Sequence, residues 1–140
     1  MTPNLQLDTL TIDFDCFSDA RGVLTVEQNS ECSRLPFRVD RVFWITDVPQ
    51  GAKRGNHAHR TCYEALVCVH GSFRVKVDNG CGLSFTALLD SPQKGLVVPP
   101  MVWCELFDFT PGAVCLCMAS GGYDKDGYLE TREEWLEALR

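Results

Sequence analysis

The chain lacks the marks of several common protein classes. It has eight cysteines but no Cys-x-x-Cys pair, so zinc-ribbon and thioredoxin-like readings have no foothold. It has no basic excess either: 13 Lys and Arg stand against 19 Asp and Glu, a formal charge of −6. That balance argues against broad binding to nucleic acid or to an anionic membrane, both of which need positive surface. No stretch is apolar for long enough to cross a bilayer, and the N-terminal MTPNLQLDTL has neither the basic flank nor the apolar run of a signal peptide. The cytoplasm is therefore the expected location. In a reducing compartment disulfides are rare. The cysteines then read as small buried hydrophobes, with Cys115-x-Cys117 a packing pair on one strand face. Linkers, internal repeats and low-complexity segments are also missing. At 140 residues, 45% apolar and 23% charged, the chain suits one globular domain, residues 1–140, around one core.

What is present is mostly strand. Apolar or alternating runs recur at Leu10 to Phe14, Val23 to Gln28, Arg41 to Asp47, Glu64 to Val69, Ser72 to Val77, Leu83 to Leu88, Gly95 to Val98, Trp103 to Phe109 and Ala113 to Ser120. Asp78-Asn79-Gly80 and Thr110-Pro111-Gly112 supply turn chemistry between them, because Asn and Gly accept the positive φ of tight turns. Many short strands with such punctuation predict an all-β sandwich or barrel. Only the end predicts a helix: Thr131 as N-cap with Glu134 three residues on, then Trp135, Leu136 and Leu139 at helical spacing. That helix is expected on the outside of the barrel, with Trp135 as its anchor.

Histidine is scarce, at three residues, yet two of the three stand together in GAKRGNHAHRTCYEALVCVHG, Gly51 to Gly71. On a strand, residues two apart share a face, with Cα atoms roughly 6.5–7 Å apart. His57 and His59 would thus project together into whatever that face encloses. Histidine titrates closest to neutral pH, so the pair offers acid/base groups or metal ligands. His70, beside Gly71 in a predicted turn, reads as a solvated loop residue.

The spacing Gly51, His57-x-His59, Glu64, Gly71 resembles the first signature of the cupin superfamily, double-sheet jelly-roll barrels with the site inside. Flanking residues narrow the resemblance: Asp19-Ala-Arg21-Gly22-Val-Leu24, Arg41-Val-Phe-Trp-Ile-Thr-Asp47, Arg54-Gly55-Asn-His57-Ala58-His59, Leu66-Val67-Cys68, Gly71-Ser72, Asp90-Ser91-Pro92 and Pro100-Met-Val-Trp103. Together, from about Asp13 onward, they are similar to the sugar-nucleotide 3,4-ketoisomerases that act on dTDP-4-keto-6-deoxy-D-glucose. The resemblance implies an all-β cupin-type barrel with a short C-terminal helix, no cofactor, a dTDP-linked 4-keto-6-deoxyhexose as partner, and a homodimer. It also implies His57 and His59 as the catalytic pair, with Arg54 and Arg21 in substrate binding; Trp44, Glu64 and Cys104 are expected to contact the substrate in the same site.

Moving a ketone from C4 to C3 means removing the proton on C3, which lies α to the carbonyl, and returning one at C4 through an enediol or enediolate. Groups that titrate near neutrality do this best. Arginines at positions 54 and 21 suit a diphosphate, since guanidinium matches phosphate oxygens in a two-pronged fashion. Arg41, Arg74 and Lys76 are secondary candidates that also suit a solvent-facing position. The chain departs from the family pattern at three places. Phe43 and Trp44 stand where tyrosines are usual, Glu64 where glutamine is common, and Cys104 where another histidine is usual. Glu64 keeps open a second reading, a metal-dependent, dioxygenase-like cupin using His57, His59 and Glu64. A third reading is a cupin that binds a sugar nucleotide without turning it over.

Overall fold

The structure, a computed structural model, describes residues 10–140. The N-terminal segment on which the signal-peptide expectation rests lies outside the described residues, apart from Leu10. Among them no helix is long and apolar enough to cross a membrane.

Two sheets of five strands, all pairs antiparallel, face one another. The first runs β1 (Thr11–Asp13), β9 (Lys94–Val98), β6 (Glu64–His70), β11 (Val114–Ala119), β4 (Arg41–Ile45). The second runs β12 (Tyr128–Leu129), β5 (Arg54–His59), β10 (Trp103–Phe107), β7 (Phe73–Asp78), β8 (Ser84–Leu89). Period-two alternation assigns the faces. Leu66, Cys68, Leu96, Val98, Cys115 and Cys117 point inward from the first sheet. Phe73, Val75, Val77, Cys104 and Leu106 meet them from the second. This is the all-β, double-sheet architecture that the sequence predicts. Cys115 and Cys117 are buried side by side in its core, and all eight cysteines are free thiols.

The outer faces are covered too. Ala65, Val67, Val97 and Met118 alternate with the core residues of the first sheet and pack against Phe14 and Leu35. Ala58 and Trp103 do the same on the second sheet and meet α1 (Arg132–Ala138) through Trp135. The helix begins as predicted, with the Glu134 amide donating to Thr131 Oγ1 at 3.1 Å. Trp135 is fully buried, stacks near Trp103 and donates its indole N–H to the Met101 carbonyl at 2.7 Å. Leu136, expected in the same stripe, is instead exposed at 42%. It follows Trp135 by one residue, and consecutive helical residues do not share a face.

Three strands escaped the sequence reading as runs. β2 (Asp15–Asp19) pairs with β3 (Gly22–Val26) in a two-stranded ribbon, a sheet separate from the other two. β12 is only two residues long. β5 has its apolar pattern interrupted by Gly55 and Asn56, both at positive φ (80° and 58°). There the register against β10 shifts, with Cys104 opposite His57 and Glu105 opposite Gly55, so Asn56 is the extra residue of a β-bulge. A side chain at Gly55 would meet the Cys104 carbonyl oxygen at 2.8 Å, so the close approach needs glycine.

Candidate active site

The bulge decides where the histidines point. After Asn56 the strand resumes its alternation, placing His57 and His59 on the inner face and Ala58 in the outer cluster against Trp135. Facing them from the other sheet is Glu64, the first residue of β6, two residues before the core residue Leu66. A cavity of about 400 Å³ opens here, lined among others by His57, Glu64, Arg54, Cys104, Phe43 and Tyr128.

The hydrogen bonds make the two imidazoles unequal. His57 Nδ1 lies 3.0 Å from the Gly55 carbonyl oxygen. A carbonyl only accepts, so Nδ1 carries the proton and the neutral ring keeps a bare lone pair on Nε2. Burial, with the nearby His59 charge adding to it, pushes the His57 pKa below the ordinary 6.5. His57 is thus a neutral base at pH 7. His59 Nε2 lies 3.2 Å from Glu64 Oε1 and 3.1 Å from His57 Nε2. Burial alone would raise the Glu64 pKa, but the His59 hydrogen bond and the charges of His59, His57 and Arg41 outweigh it and hold the carboxyl below its usual 4.5. An ionised Glu64 therefore accepts the Nε2–H of His59.

His57, His59 and Glu64 are also the residues that could hold a metal ion, their ligand atoms all lying within 4.8 Å of one another. Two imidazoles and one carboxylate suit Fe(II) and similar divalent ions. Cys104 is not part of this cluster. It is buried beside the cavity, and burial, reinforced by the Glu64 charge, pushes its pKa well up.

The other expected site residues are distributed unevenly. Arg54 lines the cavity and makes no ion pair among the described residues, so its guanidinium can receive an anion. Lys53, beside it, lines the cavity too. Trp44 lies outside the cavity: it is 66% exposed, because alternation along β4 turns Phe43 and Ile45 inward and Trp44 out. Arg21 is also outside. It sits in the turn of the β2–β3 ribbon, with a side chain 90% exposed and paired to Asp19 at 2.6 Å. Arg41, which suited solvent, is half-buried instead: its Nε donates to the Gly121 carbonyl at 3.1 Å, and it lines a second pocket together with Tyr128 and His59. Arg74 pairs with Asp108 at 3.5 Å, away from the cavity.

Tyr128 is the residue that sequence reasoning missed. The antiparallel register sets it directly opposite His59, so it shares the inner face with both histidines. Its ring centroid lies 4.6 Å from that of His59 and 5.1 Å from that of His57. The stretch around it, GGYDKDGYLE, shows no alternation that would have announced a strand.

Comparison with known proteins identifies the family. Residues 7–140 match the family described as "FdtA: WxcM-like, C-terminal". The chain belongs to this family. A curated member from Aneurinibacillus thermoaerophilus, TDP-4-oxo-6-deoxy-alpha-D-glucose-3,4-oxoisomerase, is 38% identical over 124 residues, 88% of this chain and 86% of the relative. Among solved structures, the sugar 3,4-ketoisomerase QdtA from Thermoanaerobacterium thermosaccharolyticum, in complex with TDP, superposes with a TM-score of 0.86 at 32% identity, covering 91% of each chain. A 3,4-ketoisomerase from Helicobacter canadensis superposes equally well, at 0.86 and 28% identity over 92% of this chain and 95% of the other. The fold of the FdtA-like family is thus the cupin-type double-sheet jelly roll seen here.

Proposed function

We propose that the chain is a sugar-nucleotide 3,4-ketoisomerase. It moves the keto group of dTDP-4-keto-6-deoxy-D-glucose from C4 to C3 and so feeds synthesis of a 3-amino-3,6-dideoxysugar. The observation that carries this reading is the unequal imidazole pair at the cavity, His57 with an unprotonated Nε2 and His59 with its N–H held by a carboxylate. Membership of the family and the activities of its relatives point the same way.

His57 Nε2 removes the proton from C3, and the electron pair moves into a C3–C4 double bond as the carbonyl electrons pass to O4. The His59–Glu64 pair supplies a proton to O4 and collects the one on O3. His57 then returns its proton to C4, and the electron count is unchanged throughout. Each such group typically contributes ~10²–10⁴-fold. Arg54, unpaired and exposed at the cavity edge, receives the diphosphate, a contact its planar guanidinium suits. Glu64 acts through His59, and Cys104 contributes wall rather than acid/base chemistry.

Incubation with dTDP-4-keto-6-deoxyglucose in D₂O tests the assignment by NMR. The expected product carries the ketone at C3, with deuterium at C4 wherever the transferred proton exchanges with solvent. Unchanged substrate, with tight TDP binding retained, supports a binding protein instead. The metal-dependent reading is kept by one observation, the three clustered ligand atoms. Against it, hydrogen bonds within the protein already occupy His59 and Glu64. EDTA is expected to leave turnover unchanged, and a loss restored by a divalent ion would favour the metal.

The working unit in this reading is residues 1–140 as one cupin domain, paired with a second copy in the cytoplasm. Support for pairing comes from the β2–β3 ribbon, which hydrogen-bonds to neither main sheet yet exposes Phe17, Val23 and Leu24 at 63%, 52% and 63%. Apolar residues clustered on so small a ribbon mark an interaction surface. Sedimentation of the purified protein checks it: a dimer is expected, and Leu24→Glu should yield monomer.

A further inference from the structure

The ketoisomerase reading gives O4 its proton from the His59–Glu64 pair but names no fixed donor that holds the charge before that proton arrives. While C3 loses its proton, negative charge develops on O4, and a preorganised hydrogen-bond donor aimed at that atom stabilises it more than it stabilises the ground-state carbonyl. Among the described residues lining the cavity, Tyr128 alone carries a hydroxyl. The thiols there, Cys104 and Cys117, are weak donors, held protonated by burial and, for Cys117, first by its hydrogen bond to Cys115.

From the geometry we infer that Tyr128 is a catalytic residue, its hydroxyl donating to the enediolate oxygen while Arg41 polarises it from behind. This rests on the ketoisomerase reading and deepens it. Three observations support the placement. The ring stands against both imidazoles and lines the cavity beside His57. Arg41 and Tyr128 line the adjoining pocket together, which sets the guanidinium charge near the phenol. Arg41 is itself held by the Gly121 carbonyl at 3.1 Å. No proton leaves Tyr128 in this role. It holds charge while the histidines move protons.

Tyr128→Phe keeps the ring packed on the imidazoles and deletes only the hydroxyl. The wild type is assayed first with dTDP-4-keto-6-deoxyglucose, which tests the parent reading alone; an inactive wild type overturns that reading and this role with it. With an active wild type, Tyr128→Phe is expected to lower kcat about 10²–10³-fold, the range for loss of one oxyanion donor. KM, TDP affinity, the melting temperature and the pH at which kcat/KM half-falls on the acid side should stay close to wild type. Tyr123→Phe, which removes a hydroxyl from a ring 70% exposed, should turn over normally. Tyr128→Phe activity within threefold of wild type overturns the role while leaving the ketoisomerase reading intact. So does an acid limb that shifts and takes the lost activity with it, since that is the signature of a ring that merely tunes His57.

Discussion

The two faces of β5 differ by one residue and do opposite work. Inward, His57 and His59 meet Glu64 and Tyr128 at the edge of the cavity; outward, Ala58 packs with Trp103, Leu129 and Trp135. The inner face carries acid/base groups that cost stability to bury unless they are paired. The outer face carries packing with almost no polar atoms to satisfy. The same alternation on β12 puts Tyr128 inside and Leu129 outside. One strand pair thus holds the chemistry on one side and is itself held on the other, and the outer face is what keeps the inner one in register.

Breaking the inner face should abolish turnover and spare the fold. His57→Asn and His59→Asn are each expected to reduce kcat by ~10²–10⁴-fold, the span of one general acid or base, while circular dichroism and TDP binding stay near wild type. Near-normal activity in both variants would falsify the acid/base assignment. Breaking the outer face should do the reverse. Trp135→Ala removes a fully buried ring and its indole hydrogen bond, an expected loss of about 3–5 kcal/mol in chemical denaturation. An unchanged midpoint would show that α1 does not clamp the sheet.

Acid should find the inner face first. Folded His57 titrates below the 6.5 of its unfolded form, so as pH falls from 6.5 the unfolded chain takes up a proton that the folded one refuses, and stability declines through that window. Folded Glu64 titrates below 4.5, so its contribution, present above 4.5, is lost as pH falls through the folded value. Both act in one direction. Denaturation midpoints measured between pH 8 and 4 should fall with acid, and Glu64→Gln should flatten the lower part of that curve. On the activity side, kcat/KM should fall to half its plateau only below pH 6.5; a half-fall at or above pH 6.5 would count against His57 as the base. The smallest expected effect is on the exposed wall of β4. Trp44→Ala should change kcat and KM by less than about threefold, since surface substitutions away from such features cost within ±0.5 kcal/mol and the ring lies outside the cavity.

The strands of the core were legible because period-two alternation is a local property. Leu66 and Cys68, or Val75 and Val77, announce a buried face without reference to the partner strand. Thr131 and Trp135 were legible for the same reason, since a cap and an anchor lie within one helical turn of each other. β5 was harder: Gly55 and Asn56 read as breakers, whereas in the fold they form the bulge that aims His57. Trp44 was misplaced as a candidate contact because the chain around Arg41 to Ile45 is apolar on both sides of the strand, and such a run does not say which residue faces in. Arg41 and Tyr128 lie 87 positions apart, and nothing local to either links them.

By itself, then, the order of residues determined the strand-rich class, the turns, the terminal helix and the pairing of two histidines on one face, all of which depend on neighbours a few positions away. Only the tertiary structure decided that His59 meets Glu64 across the two sheets, that the bulge at Gly55 and Asn56 gives His57 its carbonyl partner, and that β12 sets Tyr128 beside both histidines. The first contact spans facing sheets packed roughly 10 Å apart, and all three are set by how the strands order, bulge and register. Backbone alternation can be read one residue at a time; a distance between two sheets exists only once both are built.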